Sequence, residues 1–205
     1  MTTNSKKELR KDMKLLLSNL DSRWIDKAQI ELCSLLTSLL VSFHSRRFSF
    51  RNVLMWIPCF AGEPDLSGCV DDMLSVSSVY LPRIDRDNVM SFHRIFEDWR
   101  DHLELGARGV RQPVSDYGEV FVPKQDELNV VVIPGIAFSA EGKRLGRGGG
   151  HYDRYLGDER LAGAVKIGVC WSMQLTQDIP IDAHDVSMDW VCYERGALRV
   201  NDGEC

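Results

Sequence analysis

Asn129-Val-Val-Val-Ile133-Pro134-Gly135-Ile136-Ala137-Phe138-Ser139-Ala-Glu-Gly142-Lys143-Arg144-Leu145-Gly146-Arg147-Gly148-Gly149-Gly150-His151-Tyr152-Asp153-Arg154-Tyr155 reads as a buried strand, a turn, a glycine-rich loop and the start of a helix. The apolar run at 129–133 is the strand, and Pro134-Gly135 ends it. Five glycines then surround Lys143, Arg144 and Arg147. Glycines let backbone N–H groups turn inward together, and a helix beginning at Tyr152 adds partial positive charge. With three cations in the loop, the segment suits a polyphosphate, and its place after a strand is where open α/β sheets gather ligands. It matches neither standard phosphate fingerprint, so the residues alone leave open an anion cradle or a flexible cationic surface turn.

Outward from this loop, strands and helices alternate. Ser5 and Glu8 fit a capping box for a first helix carrying Leu9, Met13, Leu16, Leu17 and Leu20. Asp21 or Ser22 caps a second helix with Ala28, Leu32, Leu36 and Leu39 on one face. Residues 51–57 read as a buried strand and 58–64 as a loop. Asp65 is expected to cap a helix ending near Ser75. Strands follow at 78–81, 89–95, 165–170 and 189–193, while 97–126, with its glycines and prolines, reads mainly as loop. The alternation predicts a layered α/β fold with a mainly parallel sheet, in one domain over residues 1–205.

Composition narrows the function. The chain is 44% hydrophobic and 27% charged with net charge −5, which argues against a general nucleic-acid-binding surface. No secretory signal or bilayer-spanning run is visible, so a cytoplasmic protein is expected. Cys33, Cys59, Cys69, Cys170, Cys192 and Cys205 include no C-x-x-C pair, which favours reduced thiols over a disulfide framework or zinc site.

The segment Pro134-Gly135-Ile136-Ala137-Phe138, followed by Gly142, Arg144-Leu145-Gly146, Gly148, Gly150 and Tyr152-Asp153, resembles the signature of the 5-formyltetrahydrofolate cyclo-ligases, also called 5,10-methenyltetrahydrofolate synthetases. Lys6 with Leu9-Arg10, Glu63, Pro82-Arg83, and Ile179-Pro180 with His184-Asp185 and Asp189 extend the resemblance over about the whole chain. It implies a three-layer α/β/α Rossmann-like sandwich of the sort shared with sugar-phosphate isomerases and CoA transferases. It also implies a monomer that uses ATP and Mg²⁺ to cyclise 5-formyltetrahydrofolate to 5,10-methenyltetrahydrofolate. Such phosphoryl transfer rests on positioning and charge stabilisation, and no nucleophilic triad is needed.

By this resemblance Lys6 and Arg10, on one helix face, reach the ATP phosphates, and Arg144, Leu145, Gly146, Arg147, Gly148, Gly149, Gly150, His151 and Tyr152 wrap the nucleotide. Arg144 and Arg147 are the catalytic pair, compensating charge as the γ-phosphoryl moves. Asp153 and Asp185 are the implied Mg²⁺ ligands. In isolation the first reads as a helix-start carboxylate and the second as a turn residue. Glu63 is implied to hydrogen-bond the pterin-like ring, with Met55, Phe60, Arg147, Gly148, Gly149, Gly150, His151 and Tyr152 beside it. Neighbours on a strand face opposite sides, so at most one of Met55 and Trp56 lines the pocket. Arg83 and Arg111 are weaker candidates for a glutamate tail or loop anchoring.

Ser139 stands where the family usually has aspartate, and His151 where it commonly has tyrosine. The first change removes a carboxylate expected close to the phosphates. The second keeps a ring that can stack, hydrogen-bond and titrate near neutrality. Two rival readings are a sugar-phosphate isomerase or lactonase working without ATP, and a non-catalytic folate- or nucleotide-binding module.

Overall fold

The computed structural model describes residues 5–43, 52–106, 109–124 and 127–200. The first helix, α1 (Lys6–Ser18), begins with the complete Ser5/Glu8 capping box. Asp21 caps α2 (Ser22–Ser42) through the Trp24 amide, and Leu32, Leu36 and Leu40 of α2 are fully buried. In chain order there follow β1 (Asn52–Leu54), α3 (Ser67–Leu74), β2 (Ser78–Ile84), β3 (Met90–Arg94), β4 (Leu103–Leu105), β5 (Arg111–Pro113) and β6 (Asn129–Pro134). The chain continues through β7 (Ala137–Phe138), β8 (Arg144–Leu145), α4 (His151–Leu156), β9 (Val165–Val169), β10 (Trp190–Tyr193) and β11 (Gly196–Arg199).

Seven strands form the central sheet in the order β11-β10-β9-β6-β1-β2-β3. The five inner strands are parallel, and β3 and β11 close the edges antiparallel. In β6, Val130 and Val132 pack toward α2 and α3, while Val131 and Ile133 pack toward α4. This two-sided burial is why β6 reads as an unbroken apolar run. Helices α2 and α3 form one outer layer. The other is thinner, built from α4, the 3₁₀ turn Glu159–Leu161 and Phe138 of the β7–β8 hairpin. The fold is thus the expected Rossmann-like α/β/α sandwich with a mainly parallel sheet.

The chain runs from β1 to β2 on one side, then returns to β6 on the other side of β1. The connecting helices α3 and α4 consequently lie on opposite faces, and a crevice opens beyond the carboxyl ends of β1 and β6.

Several local expectations are corrected. Asp65 does not cap α3: the N-cap position is Leu66, and Asp65 instead accepts from the Ser67 amide in a turn before the helix. The ladder of β1 covers only 52–54, although Met55 adds one more bond to the Tyr80 carbonyl; Arg51 lies outside the described residues. The 97–126 segment contains a 3₁₀ turn and the β4–β5 hairpin, which Arg83 ties to β2 by donating to Glu104 and the Pro113 carbonyl. Strand β11 carries no sequence signal, because its pairing with β10 comes from a tight turn and its Gly-Ala-Leu-Arg sequence has little β character. Among the described residues no helix is long and apolar enough to cross a membrane.

Candidate active site

A cleft of about 590 Å³ occupies the crevice at the strand ends. Seven separate parts of the chain line it: α1, the segment after β1, the β2–β3 rim, Val110 and Gln112 of the β4–β5 hairpin, Pro134-Gly135 at the end of β6, the glycine loop with the start of α4, and the turn at 182–185.

The glycine loop grows from the β7–β8 hairpin. Phe138 lies so close to Gly135 and Gly168 that a Cβ at either would collide with its ring, so the Pro-Gly-Ile-Ala-Phe segment locks onto the sheet. Buried Gln174 donates to the Gly135 and Ile136 carbonyls, both at 3.0 Å, and fixes the turn leaving β6. Beyond β8, Gly148 and Gly150 take φ of +101° and +64°, which side-chain-bearing residues rarely adopt. Gly150 is the N-cap of α4, which starts at His151 and not at Tyr152 and has only six residues. A single turn or so of helix carries a small dipole, so attraction for an anion here comes mainly from side-chain cations and loop amides.

Arg144 donates to the Asp153 carboxylate at 2.5 Å and to the Pro134 carbonyl at 3.4 Å, and its side chain is only 4% exposed. Its Nε and the Tyr152 hydroxyl are buried with no hydrogen-bond partner among the described residues, in two residues that line the cleft.

Helix α1 docks through Leu9, which packs with Ile136, Ala137, Leu145 and Ile179. The docking carries Lys6 and Arg10 over the loop, where Arg10 Nε donates to the Gly146 carbonyl at 2.8 Å. Lys6 Nζ bridges Asp182 at 2.7 Å and Asp185 at 2.5 Å. Burial alone lowers the Lys6 pKa, but hydrogen bonds to the two aspartates, with their charges, outweigh it and the net shift is upward. For Asp185 burial pulls upward, while Lys6 and the Asp182 amide bring the net shift below the usual carboxylate range. Asp182, His184 and Asp185 place one ligand atom each within 4.8 Å of one another. Asp153 lines the same cleft but is not in that cluster.

At the opposite end, the Glu63 side chain is 6% exposed and fully engaged. Its Oε2 accepts from the Cys59 and Phe60 amides at 2.9 and 3.1 Å; its Oε1 accepts from Arg147 Nε and NH2 at 2.9 and 2.5 Å. The Arg147 guanidinium also sits 3.8 Å from the Phe60 ring centroid. Gly62 places this loop: it has φ +80°, lies where a Cβ would be 2.4 Å from the Leu17 carbonyl oxygen, and accepts from the Trp171 indole at 2.8 Å. Burial, and then the charge of Glu63, pushes the Cys59 thiol up to about 12.

Nearly all the residues expected from the sequence meet in this cleft: Lys6, Arg10, Phe60, Glu63, the loop from Arg144 to Gly150, His151, Tyr152, Asp153 and Asp185. Met55 is a correction. It is fully buried in the core packed against α2 and α3, and Trp56 is the neighbour that lines the cleft. Ser139 also differs from expectation, since it is buried outside the cleft and shapes the hairpin turn by accepting from the Lys143 amide. His151 contacts the Asn88 side chain at 3.0 Å on the cleft rim. Arg83 and Arg111 do not line the cleft, whereas Gln112 of the same hairpin does.

Sequence reasoning missed Lys14, Asp182 and Gln174. Lys14 continues the four-residue spacing of Lys6 and Arg10, and Asp182 stands three residues before Asp185 in one turn, so both had a local signal. Gln174 had none.

Fold and cleft together define a Rossmann-like α/β protein whose cleft, lined by cations and carboxylates among apolar side chains, lies at the sheet's switch point. Residues 2–194 match the 5-formyltetrahydrofolate cyclo-ligase family. A 5-formyltetrahydrofolate cyclo-ligase of Saccharomyces cerevisiae is 25% identical over 95% of this chain and 98% of its own. The solution structure of Aquifex aeolicus 5,10-methenyltetrahydrofolate synthetase superposes with a TM-score of 0.77 at 32% identity, covering 98% of this chain and 95% of that one. A synthetase structure from Mycoplasma pneumoniae shares the fold at a TM-score of 0.68 and 20% identity, over 93% of this chain and 99% of that one. The chain belongs to the 5-formyltetrahydrofolate cyclo-ligase family of enzymes.

Proposed function

We propose that residues 1–205 form one catalytic domain that uses MgATP to convert 5-formyltetrahydrofolate to 5,10-methenyltetrahydrofolate, releasing ADP and phosphate, as a cytoplasmic monomer. The observation that carries this reading is the convergence of Lys6, Arg10, Glu63, the Arg144–Asp153 segment and Asp185 on one cleft. The N-formyl oxygen is a poor leaving group. Transfer of the γ-phosphoryl group to that oxygen, with ADP departing, makes it a good one. N10 then bonds to the formyl carbon and loses its proton, the carbon–oxygen bond breaks, and phosphate leaves.

The protein's work is positional and electrostatic. Lys6, Arg10 and the backbone of residues 145–152 hold the nucleotide phosphates. Arg144 and Arg147 stabilise charge on the moving phosphoryl group, and planar guanidinium forks suit phosphate oxygens. Glu63 accepts from the donor-rich edge of the pterin, with Phe60, Tyr152 and Trp56 as its apolar walls. The residues also fit a magnesium ion. The turn at 182–185 already attracts a cation, the Lys6 ammonium, and offers hard carboxylate oxygens. Asp153 and Asp185 would hold the ion, with Asp182 and His184 beside Asp185. Bound there, it would neutralise phosphate charge during transfer.

The test mixes the protein with MgATP and 5-formyltetrahydrofolate and follows methenyl absorbance and ADP together. Equal amounts of both are expected. Turnover of a sugar phosphate without ATP would favour the isomerase-like reading, and binding of both ligands with no product would favour a binding module.

A further inference from the structure

Arg147 lines the cleft that holds both proposed subsites, and its side-chain partners among the described residues, Glu63 and Phe60, belong to one of them. Its Nε and NH2 donate to Glu63 Oε1, and its flat face covers the Phe60 ring at 3.8 Å. That carboxylate and that ring are the groups the folate reading assigns to the pterin. A guanidinium stacked on an aromatic and paired edge-on to a carboxylate imitates a pterin in shape and in donor pattern. Glu63 Oε2 is committed to the Cys59 and Phe60 amides, so only Oε1 is left for either partner. Pterin and Arg147 therefore compete for the same oxygen and the same ring face.

The backbone around Arg147 can move it. Gly146 precedes it and Gly148, Gly149 and Gly150 follow, with Gly148 at φ +101° and open enough that a Cβ would meet Arg10 only at 3.8 Å. Arg144 is held differently, by a carboxylate nine residues away on the adjoining helix, inside the phosphate end itself.

We propose that Arg147 is a catalytic residue held in reserve by Glu63 and Phe60 and released by the substrate. Folate entering its subsite takes Glu63 and Phe60 from Arg147, and the freed guanidinium turns to the γ-phosphoryl group. The phosphate end is then completed only when the acceptor is present, which suppresses unproductive ATP hydrolysis. The inference rests on the folate and ATP assignments of the proposed function and adds the coupling between the two subsites.

The test measures binding of Mg²⁺ with β,γ-methylene-ATP, with and without 5-formyltetrahydrofolate. In the wild type, folate should tighten the analogue about tenfold, within the usual range of coupling between sites. Glu63→Gln should tighten it by a similar factor without folate and abolish further tightening. Phe60→Leu, which changes no charge, should act in the same direction but less.

The deciding measurement is a double-mutant cycle. In an Arg147→Ala background, Glu63→Gln should leave analogue affinity unchanged. If the effect of Glu63→Gln persists there, it is a field effect of the lost charge and the proposal is overturned. If both ligands bind wild type with no coupling, the proposal also falls while the proposed function stands. If wild type binds neither ligand, the functional reading itself fails.

Discussion

The two ends of the cleft are built in opposite ways. At the end proposed for the phosphates, Arg144 and Asp153 are nine residues apart, joined by the last strand of a hairpin, a glycine run and the first turn of α4. At the end proposed for the folate, Glu63 and Arg147 are 84 residues apart and meet where the loop after β1 packs on Leu17 and is bonded by Trp171. Each end pairs a carboxylate with a guanidinium, and the Arg147 side chain is more exposed than the Arg144 side chain. A locally built pair is fixed by the segment that carries it. A distantly built pair depends on the packing of everything between, and is the easier one for a ligand to exchange.

The largest effect should come from breaking the local pair. On the proposed mechanism, Arg144→Ala removes a donor to the phosphoryl group and should cost turnover on the order of 100- to 1,000-fold. It also strands Asp153, a mostly buried carboxylate, so stability should fall by about 3 kcal/mol. Steady-state kinetics and urea unfolding check the two separately. Near-normal turnover would remove Arg144 from catalysis, and unchanged stability would show that Asp153 finds another partner.

The second prediction probes how closed the distant end is. Cys59 lines the cleft, and with its pKa pushed up to about 12 it stays protonated through neutral pH. Only the thiolate reacts, so labelling by iodoacetamide at pH 8.5 should be at least about 100-fold slower than for the same thiol in urea. The rate should climb only as the pH approaches that raised value. Because the folded thiol holds its proton longer than the unfolded one, this group's contribution to stability is present below pH about 9 and is lost as the pH rises toward 12. An inflection near the ordinary thiol value would mean that the loop carrying Glu63 is loosely packed.

Gly62→Ala attacks the same end through its backbone. A side chain at φ +80° costs about 2 kcal/mol, and the added Cβ also meets the Leu17 carbonyl. The loop must shift, so the KM for the folate should rise several-fold with less change in the KM for ATP. Equal changes in both would mean that the two ends are not separable in this way.

The same contrast explains what was legible in the sequence. The β6 strand, the cationic glycine loop with Arg144, and the start of α4 lie in one contiguous stretch, and periodicity with turn chemistry is enough to read them, whereas a metal role for Asp153 is implied only by family resemblance. Helical spacing puts Lys6 and Arg10 on one face, but only family resemblance pointed to them as phosphate ligands. Glu63 reads in isolation as an exposed turn residue, and only family resemblance pointed to it, because its burial depends on Gly62, Leu17 and Trp171. Met55 was misassigned for a related reason. Alternation along a strand says that Met55 and Trp56 differ, but both lie past the β1 ladder and in the same core cluster, so which one also reaches the cleft is set by tertiary packing. Gln174 has no signature at all, since its amide acts on carbonyls 38 and 39 residues away.

The smallest expected effect concerns Lys14, the third step on the α1 face after Lys6 and Arg10. It lines the cleft and is exposed. Lys6, by contrast, is held between two aspartates and Arg10 by the Gly146 carbonyl. An exposed cation attracts a phosphate through screened water, worth about 0.2–1 kcal/mol, as for other surface charge pairs. Lys14→Ala should therefore raise the KM for ATP by no more than about fivefold, leave kcat unchanged, and lose its effect as salt is added. A drop in kcat would place Lys14 on the transferring phosphoryl group, extending the phosphate end one helical turn further along α1 than the fixed pairs of the loop imply.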